Sequence, residues 1–184
     1  SSDLGEKEIL ALGASFMHRP DMLVGPAGGS TTADYTSWNL DFLWEQKLDN
    51  CGVVTFEAAY YDFDDNNGIG AATGSAVQNP TGIFGDAANR QGESYFLLAS
   101  YLMPNNVQIG CLNGRMQLLT RYQQYDHDNI AGAGGGTSDQ FDLQLSYILE
   151  GHNARVTALW TTHDAAAAGR DDLDAFILGT QLQF

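Results

Sequence analysis

The chain has 184 residues and carries 8 Lys and Arg against 23 Asp and Glu, a formal net charge of −15. That balance argues against nucleic acid as a partner and against a polybasic anchor on anionic lipid, whereas an acid excess fits a cell-surface or extracellular protein. With 21 Gly and 4 Pro the composition favours strands and open loops over helix, and the longest nearly unbroken apolar run, Tyr95 to Met103, falls far short of the roughly 20 residues a membrane helix needs.

Period-two alternation predicts eight strands. The first runs from about Glu8 to Arg19, with Leu10, Leu12, Ala14 and Phe16 on its apolar side. A Gly-, Pro- and Thr-containing loop leads to the second, Ser37 to Leu48, where Trp38, Leu40, Phe42 and Trp44 alternate with Asn39, Asp41 and Glu45. Asp49-Asn50-Cys51-Gly52 suits a tight turn. The third strand, Val53 to Phe63, sets Val54, Phe56, Ala58 and Tyr60 against Thr55, Glu57 and Tyr61. The segment from Asp64 to Gly92 shows no clear periodicity and is expected to be a long loop.

The fourth strand, Glu93 to Met103, carries Tyr95, Leu97, Ala99, Tyr101 and Met103 on one side, and a turn is expected over Pro104 to Gly114. The fifth, Arg115 to Asp126, sets Met116, Leu118 and Tyr122 against Arg115, Gln117, Arg121 and Gln123. After a Gly-rich loop, the sixth strand, Asp139 to Glu150, alternates Phe141, Leu143, Leu145, Tyr147 and Leu149 with Gln140, Asp142, Gln144, Ser146 and Glu150; a helix would strand Leu143 and Tyr147 on its polar side. The seventh sets Val156, Ala158 and Trp160 against Arg155, Thr157, Thr161 and His163. The last stretch, Leu173 to Phe184, puts Phe176, Leu178, Thr180, Leu182 and Phe184 on one side and ends on an aromatic, which reads as a strand that closes a sheet.

Three regularities favour a membrane barrel over a soluble β-sandwich. Long connections follow the odd strands and short ones mostly follow the even strands, the asymmetry of bacterial outer-membrane barrels. The aromatics Trp38 with Trp44, Tyr95 with Tyr101, Phe141 with Tyr147 and Phe176 with Phe184 recur six to eight residues apart on descending strands. Such spacings rise some 15 to 20 Å on tilted strands, and with Tyr60, Tyr122 and Trp160 they describe two membrane girdles. Charge avoids the middle of the apolar faces, while Asp41, Glu45, Glu57, Arg115, Arg121, Asp142, Glu150 and Arg155 all fall opposite, where they would line a pore. A soluble sandwich would accept those charges equally well on its solvent face.

The blocks QGESYFLLASYLMPNNVQIG (Gln91 to Gly110), RMQLLTRYQQYD (Arg115 to Asp126), GHNARVTALW (Gly151 to Trp160) and the terminal LGTQLQF resemble the C-terminal part of bacterial outer-membrane porins of the phosphate-selective type. The resemblance covers most of the chain from the second strand onward. It implies an outer-membrane location, insertion by the barrel-assembly machinery guided by the terminal strand, passive passage of small hydrophilic solutes and a homotrimer. Two departures matter. Members of that family are about twice as long with some 16 strands, so the chain matches a C-terminal half. The inferred lumen also lacks a ladder of basic residues, since Lys47 and the three arginines face five carboxylates, and phosphate selectivity is not carried over.

The expectation is therefore an all-β, transmembrane, antiparallel up-and-down barrel over residues 1–184, either eight strands closing alone or half of a porin of about 16 strands. Its function would be passive diffusion, with no enzyme chemistry, cofactor or metal; lipid and lipopolysaccharide would be its surroundings. The alternative is a complete eight-stranded barrel with a structural or surface-binding role, its interior filled by side chains. With no initial Met and no visible signal peptide, a processed chain or a piece of a longer one is expected. Asp62 to Gly68 looks like a calcium loop but misses the EF-hand spacing, and reads better as an acidic solvated loop. Asp126-His127-Asp128 and His163-Asp164 lack a convergent nucleophile or water-positioning group. Cys51 and Cys111 fall in turns on one side, where pairing requires one turn to lean over two strands, about 10 Å.

Overall fold

The computed structural model describes residues 8–24, 32–64, 92–127, 136–150, 154–164 and 172–182. They form a single antiparallel sheet of eight strands in sequential order. The strands are β1 (Ile9–Val24), β2 (Thr32–Lys47), β3 (Val53–Asp64), β4 (Gly92–Ile109), β5 (Leu112–His127), β6 (Gly136–Glu150), β7 (Ala154–Asp164) and β8 (Leu173–Leu182). Each strand pairs with its predecessor and its successor, the up-and-down order the alternation predicts. One 3-10 turn, Asp49–Cys51, joins β2 to β3, and no helix among the described residues is long and apolar enough to cross a membrane.

Two features depart from the sequence reading. The sheet is open: among the described residues β1 is hydrogen-bonded only to β2 and β8 only to β7, so the terminal strand does not close the sheet onto the first. The turn expected over Pro104 to Gly114 is instead strand. β4 continues to Ile109 and reverses in the two residues Gly110 and Cys111, and Gly110 takes the positive φ of 62° that so tight a reversal needs.

Proline is accommodated by irregular register. Between Leu102 and Asn106 on β4, two residues more than on β5 are looped out, and Pro104 sits there; an equal slip between Arg19 and Leu23 on β1 holds Pro20. Proline cannot donate to the ladder, so the chain places it where pairing is already interrupted. The β4–β5 hairpin consequently runs on past its neighbours. The β2–β3 turn lies level with Leu102, because Val53 pairs with Leu102, whereas Cys111 sits at the tip of the extension. Both cysteines are free and exposed. Cys111 lies six residues along the chain from Gln117, the β5 partner of Leu102, and at about 3.3 Å each these carry one thiol well beyond disulfide reach of the other.

The sheet has its sides reversed relative to a soluble protein. On one face Leu12 is 79% exposed, Phe16 71% and Leu178 72%, while on the other Glu45 is 1%, Asp142 3% and Ser146 0% exposed. A single sheet encloses the face toward which it curls, and here the enclosed face bears the charges. Its apolar core is correspondingly slight: Val53, Leu102 and Ile148 form one small cluster at the short-turn end.

Candidate functional site: a polar inner wall and an aromatic outer belt

Register decides which side chains share a face, because partners across an antiparallel pair point the same way. One row crosses the inner face as Leu43, Glu57, Leu98, Arg121, Asp142 and Thr161. Parallel rows carry Asp41 opposite Ala59, Glu45 opposite Thr55, and Arg115 and Arg155 on either side of Ile148. Seven of the eight expected pore-lining residues thus lie on one face, together with Arg19 and Lys47. The side chain of the eighth, Glu150, lies outside the described residues, and a one-residue slip between Ile148 and Glu150 interrupts the alternation just before it.

The inner charges are held by short polar chains. Arg121 donates from Nε (2.9 Å) and Nη2 (2.5 Å) to Oδ2 of Asp142, its register partner on the neighbouring strand. Gln140 donates to the other carboxylate oxygen at 2.9 Å and accepts from Gln123 at 3.0 Å. Below them Gln144 donates to Ser146 Oγ at 2.9 Å, and Ser146 and Thr157 share a hydroxyl contact of 3.1 Å. On the opposite flank Thr55 donates to the enclosed Glu45 at 3.0 Å. Asp41 lies over Gly13, and a Cβ on that glycine would run into its carboxylate.

Apolar residues also enter this face, which the sequence reading passed over. Leu43, Phe96, Leu98, Leu119 and Leu159 stand in the same rows as the charges. The alternating pattern could have revealed them, because each occupies a polar-side position in its strand.

The outer face carries the expected aromatics, and register joins them into a continuous belt. Phe16 lies opposite Trp38, Tyr60 opposite Tyr95, Tyr122 opposite Phe141 and Trp160 opposite Phe176, one aromatic on each of the eight strands. The links between these pairs are ring contacts: Trp38 to Tyr60 at 5.1 Å, Tyr95 to Tyr122 at 6.1 Å and Phe141 to Trp160 at 6.1 Å between centroids. At each link the belt falls two residues behind the register, since Trp38 pairs with Asp62, Tyr95 with Gln124 and Phe141 with Thr162. Two residues per two strands is about 6.6 Å along the strand for about 9.6 Å across, so a level belt tilts the strands by about 35°. Strands of membrane barrels tilt by about 35 to 45°.

The second girdle is partial. Trp44, Tyr101 and Tyr147 each lie six residues below the belt on a descending strand, whereas Leu10, Met116 and Leu182 hold the corresponding places on β1, β5 and β8. Phe184 lies outside the described residues. Tyr101 donates its hydroxyl to the carbonyl of Cys51, and the buried Tyr147 donates to the carbonyls of Val107 (2.7 Å) and Leu112 (3.0 Å), so these tyrosines anchor turns. Above the upper belt the outer face turns acidic, with Asp62, Glu93, Asp139 and Asp174 two residues beyond the aromatics.

No family model, curated protein or solved structure matches the chain. The porin resemblance therefore rests on the quoted blocks, and functional argument rests on the two faces. Among the described residues no group of His, Cys, Asp and Glu is arranged to hold a metal ion. Asp65 to Gly68 of the calcium-like stretch lie outside the described residues, as does Asp128; His163 is set between Gln140 on β6 and Leu173 on β8.

Proposed function

We propose that this chain is the wall of a bacterial outer-membrane β-barrel whose assembly is a porin, passing small hydrophilic solutes or ions passively through a water-filled lumen. The observation that carries the reading is the reversed sidedness: bulky apolar side chains project from the exposed face, and glutamate, aspartate and serine are enclosed on the other. In water such a sheet would leave a large apolar patch uncovered. In lipid both faces are satisfied, and the tilt implied by the aromatic belt is the one a barrel requires. The outer face would meet lipid, and its acidic margin would lie at the level of lipopolysaccharide headgroups. The barrel-assembly machinery and a homotrimeric state belong to the same proposal.

A second reading has its own support. Phe96, Leu98, Leu119 and the Val53–Leu102–Ile148 cluster project from the inner face, as they would in a narrow barrel filled by side chains, acting as an anchor or surface protein. Planar-bilayer recording with the native protein purified from outer membranes separates the two. Stepwise conductance increments are expected; a protein that inserts without conducting would sink the porin reading in favour of the filled barrel.

A further inference from the structure

Every lysine and arginine among the described residues, Arg19, Lys47, Arg115, Arg121 and Arg155, falls on the inner face, and their heights along the strands are uneven. Measured from the aromatic belt, Arg155 lies five residues toward the short-turn end, Arg115 seven and Lys47 nine. Lys47 and Arg115 line one pocket of about 390 Å³ there, with Asp49, Asn50 and Asn105. Arg115 is positioned by donation from Nε to the Met103 carbonyl at 3.2 Å.

Acidic groups are set differently. Asp41 and Glu57 lie three residues below the belt, closer to the long-loop end, and Asp142 is neutralised by Arg121. Glu45 stands at the level of Arg115 but is enclosed and accepts from Thr55, and the exposed Asp49 lines the pocket with Lys47; Lys47, Arg115 and Arg155 outnumber these two carboxylates, so the charge of the described side chains at the inner short-turn end is net positive. At about 3.3 Å per residue and a tilt of about 35°, the acidic and basic bands are separated along the axis by about 11 Å on average. That matches the Debye length of about 10 Å at 0.1 M salt and exceeds the 3 Å at 1 M, so at moderate salt the bands act as distinct zones.

We infer that the lumen is bipolar, with a basic mouth at the short-turn end and an acidic band above it, and that its ion current is rectified. The inference rests on the porin reading. A potential positive on the long-loop side drives cations into the acidic band and anions into the basic mouth, each from its favoured end, and both accumulate. The reverse potential empties both bands. Charged rings in a confined lumen govern ion occupancy in this way.

Single-channel recording of the native protein tests this at equal and opposite potentials. In 0.1 M KCl the two conductances should differ by about 1.5-fold or more, and in 1 M KCl the ratio should approach one. Replacing Lys47, Arg115 and Arg155 together by Gln should bring the ratio at 0.1 M close to one with conductance retained; Arg155→Gln alone, at an exposed position, should reduce it even where the triple variant does not fold. Channels with equal conductance at both polarities in 0.1 M salt, or a ratio unchanged by Arg155→Gln, would overturn the inference while leaving the porin intact. A protein that never conducts would overturn the porin reading and this inference with it.

Discussion

Leu145 and Gln144 are neighbours on β6 that point to opposite faces, which makes them a sharp probe of sidedness. Leu145 lies opposite Leu118 and Ala158 on the outer face and is 42% exposed, whereas Gln144 lies opposite Leu119 and Leu159 on the inner face. Leu145 is four residues below Phe141 of the aromatic belt. On a strand tilted by about 35° that is about 11 Å beneath the belt, close to the middle of an apolar band about 25 Å tall. An arginine placed there should cost about 2 to 4 kcal/mol, and the same arginine at Gln144, facing water, less than about 1 kcal/mol. In a water-soluble sheet the half-exposed Leu145 site would accept Arg within about 0.5 kcal/mol. Reversible guanidinium unfolding of the full protein in lipid vesicles, followed by tryptophan fluorescence, measures both variants. Equal costs for Leu145→Arg and Gln144→Arg would refute the assignment of the outer face to lipid. Phe176→Arg supplies a depth control: at the belt the charge penalty should fall to about 0 to 1 kcal/mol, after allowance for the lost ring measured in Phe176→Ala.

The same unfolding assay examines the Arg121–Asp142 pair. Arg121→Met strands the enclosed Asp142 carboxylate and should cost about 2 kcal/mol, below the full buried-pair value because the arginine is partly solvated; Arg121→Met with Asp142→Leu should recover at least half of it, and strict additivity would show that the pair is not coupled. Gly52→Ala should destabilise by about 2 kcal/mol or more, because φ is 98° there and the new methyl would press on the Leu102 carbonyl; a neutral result would contradict the turn geometry. Tyr147→Phe removes two hydrogen bonds and should cost about 1 kcal/mol, with faster amide exchange over 106–115 as its local signature. Both cysteines should react with a membrane-impermeant maleimide only after the outer membrane is breached, since they share the short-turn end; labelling on intact cells would place that end outside.

The strands and their faces were legible because a single-layer sheet with one apolar and one polar face writes a strict period of two into its sequence, as Trp38 to Trp44 and Phe141 to Tyr147 show. Pro104-Asn105-Asn106 read as a turn because those residues usually punctuate structure, yet two extra residues let the hairpin loop the proline out and resume pairing at Asn106. The pore-lining charges were found by the side on which they fall, whereas Phe96, Leu98 and Leu119 were missed because attention to charge obscured the apolar members of the same rows. The continuity of the aromatic belt was invisible for a different reason. It depends on register between strands, and the pairing of Trp38 with Asp62 instead of Tyr60 is not written in either strand alone. The unpaired edges likewise follow from how many strands a wall contains, which alternation within each strand does not encode.

Those free edges bear on how the wall could ever reach lipid. Along β1 and β8, alternate N–H and C=O groups point outward with no strand beside them among the described residues. In hydrocarbon each such group costs several kcal/mol, so a strand spanning the apolar band would carry a penalty of tens of kcal/mol per edge. A half-open sheet therefore has no stable residence in the bilayer interior. If the wall enters lipid as proposed, its two edges must be covered in the same thermodynamic event, by each other or by further strands, with the aqueous side of the membrane as the last place where it can remain ajar.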